Sequence, residues 1–179
     1  MGSGVKNRIR EAGLEIFSRK AAESVTTEEI IKAANVAKAS FYAHYRDKYD
    51  LMAQIFINLM RSSGENKSKN WHEIAVAQVK TIKDNFDLFR NILCSDPYFY
   101  VFFDVTKILT QWFNIIVSRN GGDINGLEIR CAIHKLSISS TTALYELAFG
   151  RISYEQFYNL VYTWKSTCPY VLYPYLNFK

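Results

Sequence analysis

The sequence predicts an all-α protein, with a small three-helix unit in front of a larger helical one. Three observations lead there. Apolar residues recur at three- and four-residue steps along most long segments, which is the repeat of a helix face rather than the alternation of a strand. Helix-start signals, a Thr or Ser followed three residues later by Glu or Gln, stand at Thr26/Glu29 and Ser153/Gln156. Breakers separate the segments: Gly64, Asp96-Pro97, Asn120-Gly121-Gly122-Asp123 and Gly150.

The elements follow in order. From Val5 to Arg19, Ile9, Ala12, Ile16 and Phe17 lay one apolar stripe on a charged helix. A second helix starts near Thr27 behind the Thr26/Glu29 box and runs to Ala34. There Asn35 supplies a residue that tolerates the left-handed turn conformation. A third, short helix covers Ala37 to Ala43, and Asp47 caps a fourth, whose Leu51, Ile55, Phe56 and Leu59 point one way to about Ser63 or Gly64.

Ser62 to Asn70 reads as a connection. Beyond it come helices at Trp71–Asp84, Phe86–Leu93, Tyr98–Arg119, Ile124–Phe149 and Ser153 to about Lys165, and a tail that Pro169 and Pro174 hold extended. Residues 1–50 form the front unit and 51–179 the rear one, with the fourth helix bridging them from about residue 48.

Composition narrows the function classes. A chain of 179 residues, 49% hydrophobic and 22% charged, has material for a real core and is not a disordered chain. Cys94, Cys131 and Cys168 are odd in number and far apart, matching neither a disulfide framework nor a zinc-ligand spacing. The amino-terminal stretch lacks the apolar core of a signal peptide. The most lipid-like stretch, Tyr98 to Ser118, carries Asp104, Lys107 and Gln111, each costly at bilayer depth. A cytoplasmic protein without membrane, metal or cofactor is expected. Phosphate loops, nucleophile elbows and paired catalytic carboxylates are all missing from the sequence, so an enzyme is not expected. The net charge of +5 suits a polyanionic partner. Its distribution is less suggestive: residues 1–50 hold nine Lys and Arg against seven Asp and Glu.

Function is carried by the second and third helices. Two short helices joined by a tight turn and buttressed by a first helix are what a helix-turn-helix needs to offer one helix to the major groove. The run from Asn35 to Leu51, NVAKASFYAHYRDKYDL, sharpens this reading. Val36, Lys38, Phe41, Tyr42, His44, Tyr45, Lys48 and Leu51 match a spaced signature, with Ala12, Phe17, Thr26, Thr27, Ile30 and Ala34 in register upstream. In this the front of the chain resembles the tetracycline-repressor family of transcription regulators.

The resemblance covers roughly the first 55 residues and departs at Asn35, Ala37, Ala39, Ile31 and Ala21-Ala22, where the family carries other small or turn residues. It implies a double-stranded DNA partner, with Tyr42 and Lys48 on phosphates. Thr27 at the first turn of its helix is a third backbone contact. Lys38, Ala39 and Ser40 sit at the helix end that enters the groove and are the candidates for base edges, with His44 beside them. Taken singly, each of these residues is better explained as packing or solvated surface. As a spaced set, Tyr42 and Lys48 point to DNA, while Phe41 and Val36 belong to the core.

In the rear unit, aromatic residues crowd between Phe86 and Phe113. Phe89, Phe99, Phe102, Phe103 and Trp112 are the candidate walls of a small-molecule effector pocket, against the plainer reading of such a stripe as core. Ala132, Leu136, Leu144, Leu147 and Ala148 on one helix, with Phe157, Leu160, Val161 and Trp164 on the next, make apolar faces broad enough to pack twice, so that two copies would form a homodimeric four-helix bundle. The expected function is a ligand-responsive repressor that binds a palindromic operator as a dimer. The alternative is a protein-interaction module of the same fold that acts on another regulator.

Overall fold

The computed structural model describes residues 2–64, 71–95, 100–162 and 167–176, and every regular element among them is helical. In the first helix, α1 (Gly2–Arg19), Ile9 and Phe17 are fully buried. A 3-10 turn at Ala22–Ser24 leads into α2 (Thr27–Ala34), and α3 (Lys38–Tyr42) follows. α4 (Lys48–Gly64) then leaves the front unit with Leu51, Met52, Ile55 and Phe56 all buried, because it is covered by α1 on one flank and by rear helices on others. Gly13 permits the close approach of α1 to α4: a Cβ there would lie 2.8 Å from Leu51 Cδ2.

The rear unit comprises α5 (Trp71–Asp84), α6 (Phe86–Cys94), α7 (Tyr100–Arg119), α8 (Leu127–Ala148) and α9 (Tyr154–Tyr162). α7 and α8 form its most extensive pairing, and small polar residues let them close up. The Thr106 hydroxyl donates to Thr141 Oγ1 at 3.0 Å in the buried seam. Ser137, Ser140 and Thr141 return their own hydroxyls to carbonyls one turn back, so no buried donor among them is wasted. Gly150, expected as a breaker, closes α8 at φ +71°, a left-handed conformation that glycine adopts without strain. Ser153 and Gln156 exchange the two hydrogen bonds of a capping box at the start of α9.

Three expectations are corrected. α8 begins at Leu127 rather than Ile124, because the Asp123 carboxylate accepts the Asn125 N–H at 3.0 Å and holds 123–126 in a turn. The tail is not extended. Pro169 precedes a 3-10 turn at Tyr170–Leu172, and Pro174 sits in the first turn of α10 (Tyr173–Leu176), where a missing N–H costs no helix bond. Leu172 and Leu176 are thereby fully buried, and Asn120 Nδ2 donates to the Tyr175 carbonyl at 2.8 Å.

The third concerns dimerisation. Ala132, Leu136, Leu144, Leu147, Ala148, Phe157 and Val161 are all buried within the single chain, so its own core already uses the apolar faces expected between two copies. The outward row of α8 is instead Leu127, Cys131, His134 and Ile138. Most of the connection at 62–70, the break at Asp96-Pro97, the wall residue Phe99 and the interface residue Trp164 lie outside the described residues. Among the described residues, no helix is long and apolar enough to cross a membrane.

Candidate nucleic-acid interface

Local chemistry sets the angle between α2 and α3. Thr26 Oγ1 accepts the Glu29 N–H at 3.1 Å and fixes where α2 starts. At the other end Asn35 adopts φ 49°, ψ 56°, the left-handed conformation that stops α2, and α3 begins three residues later. Arg8 on α1 donates to the Asn35 carbonyl at 3.4 Å, tying the turn to the first helix. α3 is held from below by Phe41, fully buried, whose ring meets that of Tyr45 at 5.7 Å. The turn into α4 is pinned by two carboxylates. Asp50 accepts the Arg46 N–H at 2.9 Å, and Asp47 accepts the N–H groups of Tyr49 and Asp50, both at 2.8 Å.

With Phe41 facing inward, the opposite face of α3 is presented outward. Lys38, Ala39 and Tyr42 are exposed, Ser40 is half-buried, and His44 stands half-buried just beyond the helix. Tyr42 is 48% exposed, its ring edge-on to Phe41 at 5.4 Å. Its position is therefore fixed by the core while its phenol reaches outward. Thr27 is half-buried at the first turn of α2. The structure thus gathers Lys38, Ala39, Ser40, Tyr42 and His44 on or beside one short helix.

Two basic residues are already engaged. Lys38 Nζ lies 3.2 Å from Glu28 Oε1 on α2, both side chains well exposed. The Glu28 carboxyl is held below its ordinary value, first by a backbone hydrogen bond and then by the Lys38 ammonium. An exposed pair of this kind is readily exchanged for another anion.

Lys48 is more deeply committed. Its ammonium donates to the carbonyls of Val25 at 2.6 Å, Ala22 at 2.7 Å and Glu23 at 3.4 Å, which uses all three of its protons. It closes the 3-10 turn between α1 and α2 onto the start of α4, and its contact with the Tyr49 ring at 5.0 Å adds to the anchorage. Spacing along the sequence gives no sign of this role, because the accepting carbonyls lie more than twenty residues upstream. Arg46, with an exposed guanidinium beside the same turn, is a further cation on this surface that the sequence reading passed over.

Behind the interface, α6 grips the front unit. Asn91 Nδ2 donates to the Phe17 carbonyl at 2.8 Å, and Ser95 Oγ accepts the Ala22 N–H at 3.1 Å. Ala22 therefore links α6, through its N–H, to Lys48 and α4, through its carbonyl.

Among the described residues, the expected pocket walls divide between different surroundings, Phe102 and Phe103 alone meeting ring to ring at 5.9 Å. Phe89 is buried edge-on to Phe56 at 4.7 Å, and Trp112 is buried on α7. Phe102 packs against Tyr145 at 5.5 Å. Phe103 is 68% exposed and lines a polar cleft beside Arg46, Asp47 and Asp50. Neighbours on one helix point about 100° apart, so aromatic density along α7 does not mean that the rings share a wall.

Residues 9–55 match the family described as bacterial regulatory proteins, tetR family. The chain is 25% identical over 96 residues to the HTH-type transcriptional regulator QacR of Staphylococcus aureus (strain Mu50 / ATCC 700699), a stretch covering 54% of this chain and 48% of that protein. It is 35% identical over 51 residues to the HTH-type transcriptional regulator AcrR of Shigella flexneri, covering 28% of this chain and 24% of that protein. The chain thus spans about half the length of the first of these curated relatives and about a quarter of the second. A TetR transcriptional regulator from Rhodococcus sp. RHA1 shares the fold with a TM-score of 0.71 at 18% identity, over 94% of this chain and 97% of that one.

Proposed function

We propose, from the premise that this chain belongs through its front unit to the TetR family of bacterial regulatory proteins, that it is a DNA-binding transcriptional regulator. The observation that carries the reading is the presentation of α3. Phe41 and Tyr45 fasten its inner face into the core, while Lys38, Ala39 and Tyr42 stand outward on a helix short enough to enter a major groove end-on. Tyr42 donates its phenol to a phosphate, Thr27 contacts the backbone from the start of α2, and Lys38, Ala39 and Ser40 meet base edges, with His44 at the margin. Lys38 exchanges Glu28 for DNA. Lys48 acts from behind, holding the 3-10 turn so that α2 and α4 keep their spacing.

The working form is a cytoplasmic homodimer, since two recognition helices related by a two-fold axis read the two half-sites of a palindrome. The face offered for pairing is the outward row of α8, Leu127, Cys131, His134 and Ile138, joined by Tyr158 of α9. An effector bound in the rear unit acts through α4, which spans both units, and releases DNA only by preferring the DNA-incompetent arrangement.

Footprinting on the intergenic DNA beside its own gene, combined with sedimentation of the protein at the same concentrations, tests the reading. A symmetric footprint whose half-sites are about 10 base pairs or a multiple apart, appearing with the dimer, supports it. Uniform protection without sequence preference contradicts it.

A further inference from the structure

Residues 1–50 carry nearly balanced charge, nine Lys and Arg against seven Asp and Glu, yet the fold distributes it unevenly. Arg19, Lys20 and Lys38 each lie within 3.2 Å of a glutamate. Arg46 lies 3.9 Å from Asp50, in a cleft that Asp47 and Asp104 also line. Lys48 and Arg8 donate to backbone carbonyls. Lys32 stands in the last turn of α2, where a cation meets the helix's own carbonyl end. Lys6 and Arg10 remain, and neither has a carboxylate partner among the described residues.

Their placement concentrates the charge. Four positions apart on α1, Lys6 and Arg10 share one side of the helix, about 40° from each other, while Glu11 and Glu15 lie at least about 100° round from either. Like charges at this spacing repel and weaken a helix slightly, a cost that an anion held between them relieves. Both border the end of α3. Lys6 Nζ lies 5.9 Å from the centre of the Tyr45 ring, and the His44 ring stands 6.5 Å from that same ring. Burial pushes the Tyr45 phenol up from its ordinary pKa, and the Arg10 cation pulls it back against the opposing charge of Asp50, so the guanidinium acts on the same spot. Lys6 is exposed and Arg10 half-buried. α3 thus has a cation near each end, Lys38 at its start and Lys6 with Arg10 beyond its finish.

We propose that Lys6 and Arg10 clasp a DNA backbone phosphate beside the end of α3, which makes α1 a third DNA-contacting helix after α2 and α3. A helix seated in a major groove about 12 Å wide has a phosphate strand on either wall. Thr27 and the start of α2 meet one wall, and the α1 pair meets the other. This assignment rests on the regulator reading, and it supplies the phosphate-neutralising charge that Lys48, spent on carbonyls, does not. Phosphate contacts carry no base identity. The clasp therefore sets affinity and register and leaves the choice of sequence to α3.

Fluorescence anisotropy of the full chain over a salt series, on the intergenic duplex beside its gene and on a scrambled duplex of equal length, reads the clasp directly. The slope of log affinity against log salt falls by about 0.9 in Lys6→Gln and by about 1.8 in Lys6→Gln/Arg10→Gln. Affinity for the two duplexes drops by the same factor, because no base contact is lost. Lys6→Arg keeps the wild-type slope. Lys80→Gln, which removes an exposed charge from α5 in the rear unit, keeps it as well. Lys6→Gln melts with wild type, so its slope remains informative even where the double variant folds poorly. An unchanged slope in Lys6→Gln, or a fall no larger than that of Lys80→Gln, overturns the inference while specific binding by wild type leaves the regulator reading standing. A slope that falls as expected on both duplexes, with no preference between them, supports the clasp and sinks the operator reading. Wild type that binds neither duplex overturns both.

Discussion

Ser95 Oγ accepts the Ala22 N–H at 3.1 Å across 73 positions of sequence, in a spot where Ser95 is 2% exposed and Ala22 fully buried. This bond joins the end of α6 to the 3-10 turn that the Lys48 ammonium holds from the other side. Ser95→Ala leaves a buried N–H without an acceptor, which costs about 1–3 kcal/mol. Urea unfolding shows the midpoint falling with an unchanged slope, and hydrogen exchange at Ala22 accelerates while exchange in α8 follows only the global loss. Unaltered exchange at Ala22 contradicts the link.

Lys48 separates two kinds of cation. A lysine that neutralises a phosphate contributes about 0.9 to the slope of log affinity against log salt. Lys48 spends its protons on the Ala22, Glu23 and Val25 carbonyls. Lys48→Met therefore weakens DNA binding and lowers stability while leaving the salt slope as in wild type. A slope reduced by about one would place Lys48 on the phosphates instead.

On the proposed function, Glu28 restrains DNA binding. Its carboxylate sits at the first turn of α2 and occupies Lys38 at 3.2 Å. Glu28→Gln frees that ammonium and removes an anion from the surface that faces DNA. Affinity rises a few-fold at low salt, because Lys38 no longer has to leave Glu28 to meet the bases, and the gain shrinks as salt screens the lost charge. Anisotropy titrations over a salt series measure both.

Alkali destabilises both units. Burial pushes the Cys168 thiol from its ordinary 9.0 up to about 12 and also raises Cys94, Tyr45 and Tyr154. For each of these groups the folded state disfavours the anion. Stability is therefore fully present below the ordinary value and is lost as pH climbs from about 9 toward 12. Melting temperatures decline over that window, and Cys168→Ala shallows the decline. Cys131, exposed in the single chain, reacts with a maleimide in dilute protein and is shielded as the proposed dimer forms, whereas buried Cys168 reacts only after unfolding.

What the sequence disclosed was local chemistry. The Thr26 cap, the left-handed Asn35, the Asp47 cap and the Ser153/Gln156 box all depend on residues within a few positions of one another, and each forms as its pattern predicts. The tail departs from the extended form expected of it because Pro174 occupies the first turn of a helix, where it breaks no hydrogen bond. Long-range partnerships left no periodic trace. Nothing adjacent to Lys48, Ser95 or Gln78 says that the first meets carbonyls near Ala22, the second meets Ala22 itself, and the third buries an Nε2 that finds no acceptor among the described residues. The side chains expected to pair two copies lie in the single chain's core because an apolar face in sequence does not say whether its partner belongs to the same chain.

The central claim, that the outward face of α3 reads DNA, is tested most directly by fluorescence anisotropy. Wild type and Tyr42→Ala are titrated against the intergenic DNA beside the gene, at near-physiological salt with excess competitor. Tyr42 is anchored at its ring and outward at its phenol, so its loss removes a contact without a core side chain. The account predicts saturable, competitor-resistant binding by wild type and at least a tenfold weaker affinity, about 1.4 kcal/mol, for a variant whose melting temperature is unchanged. Equal affinity of the two proteins, or wild-type binding that competitor DNA abolishes, would contradict it.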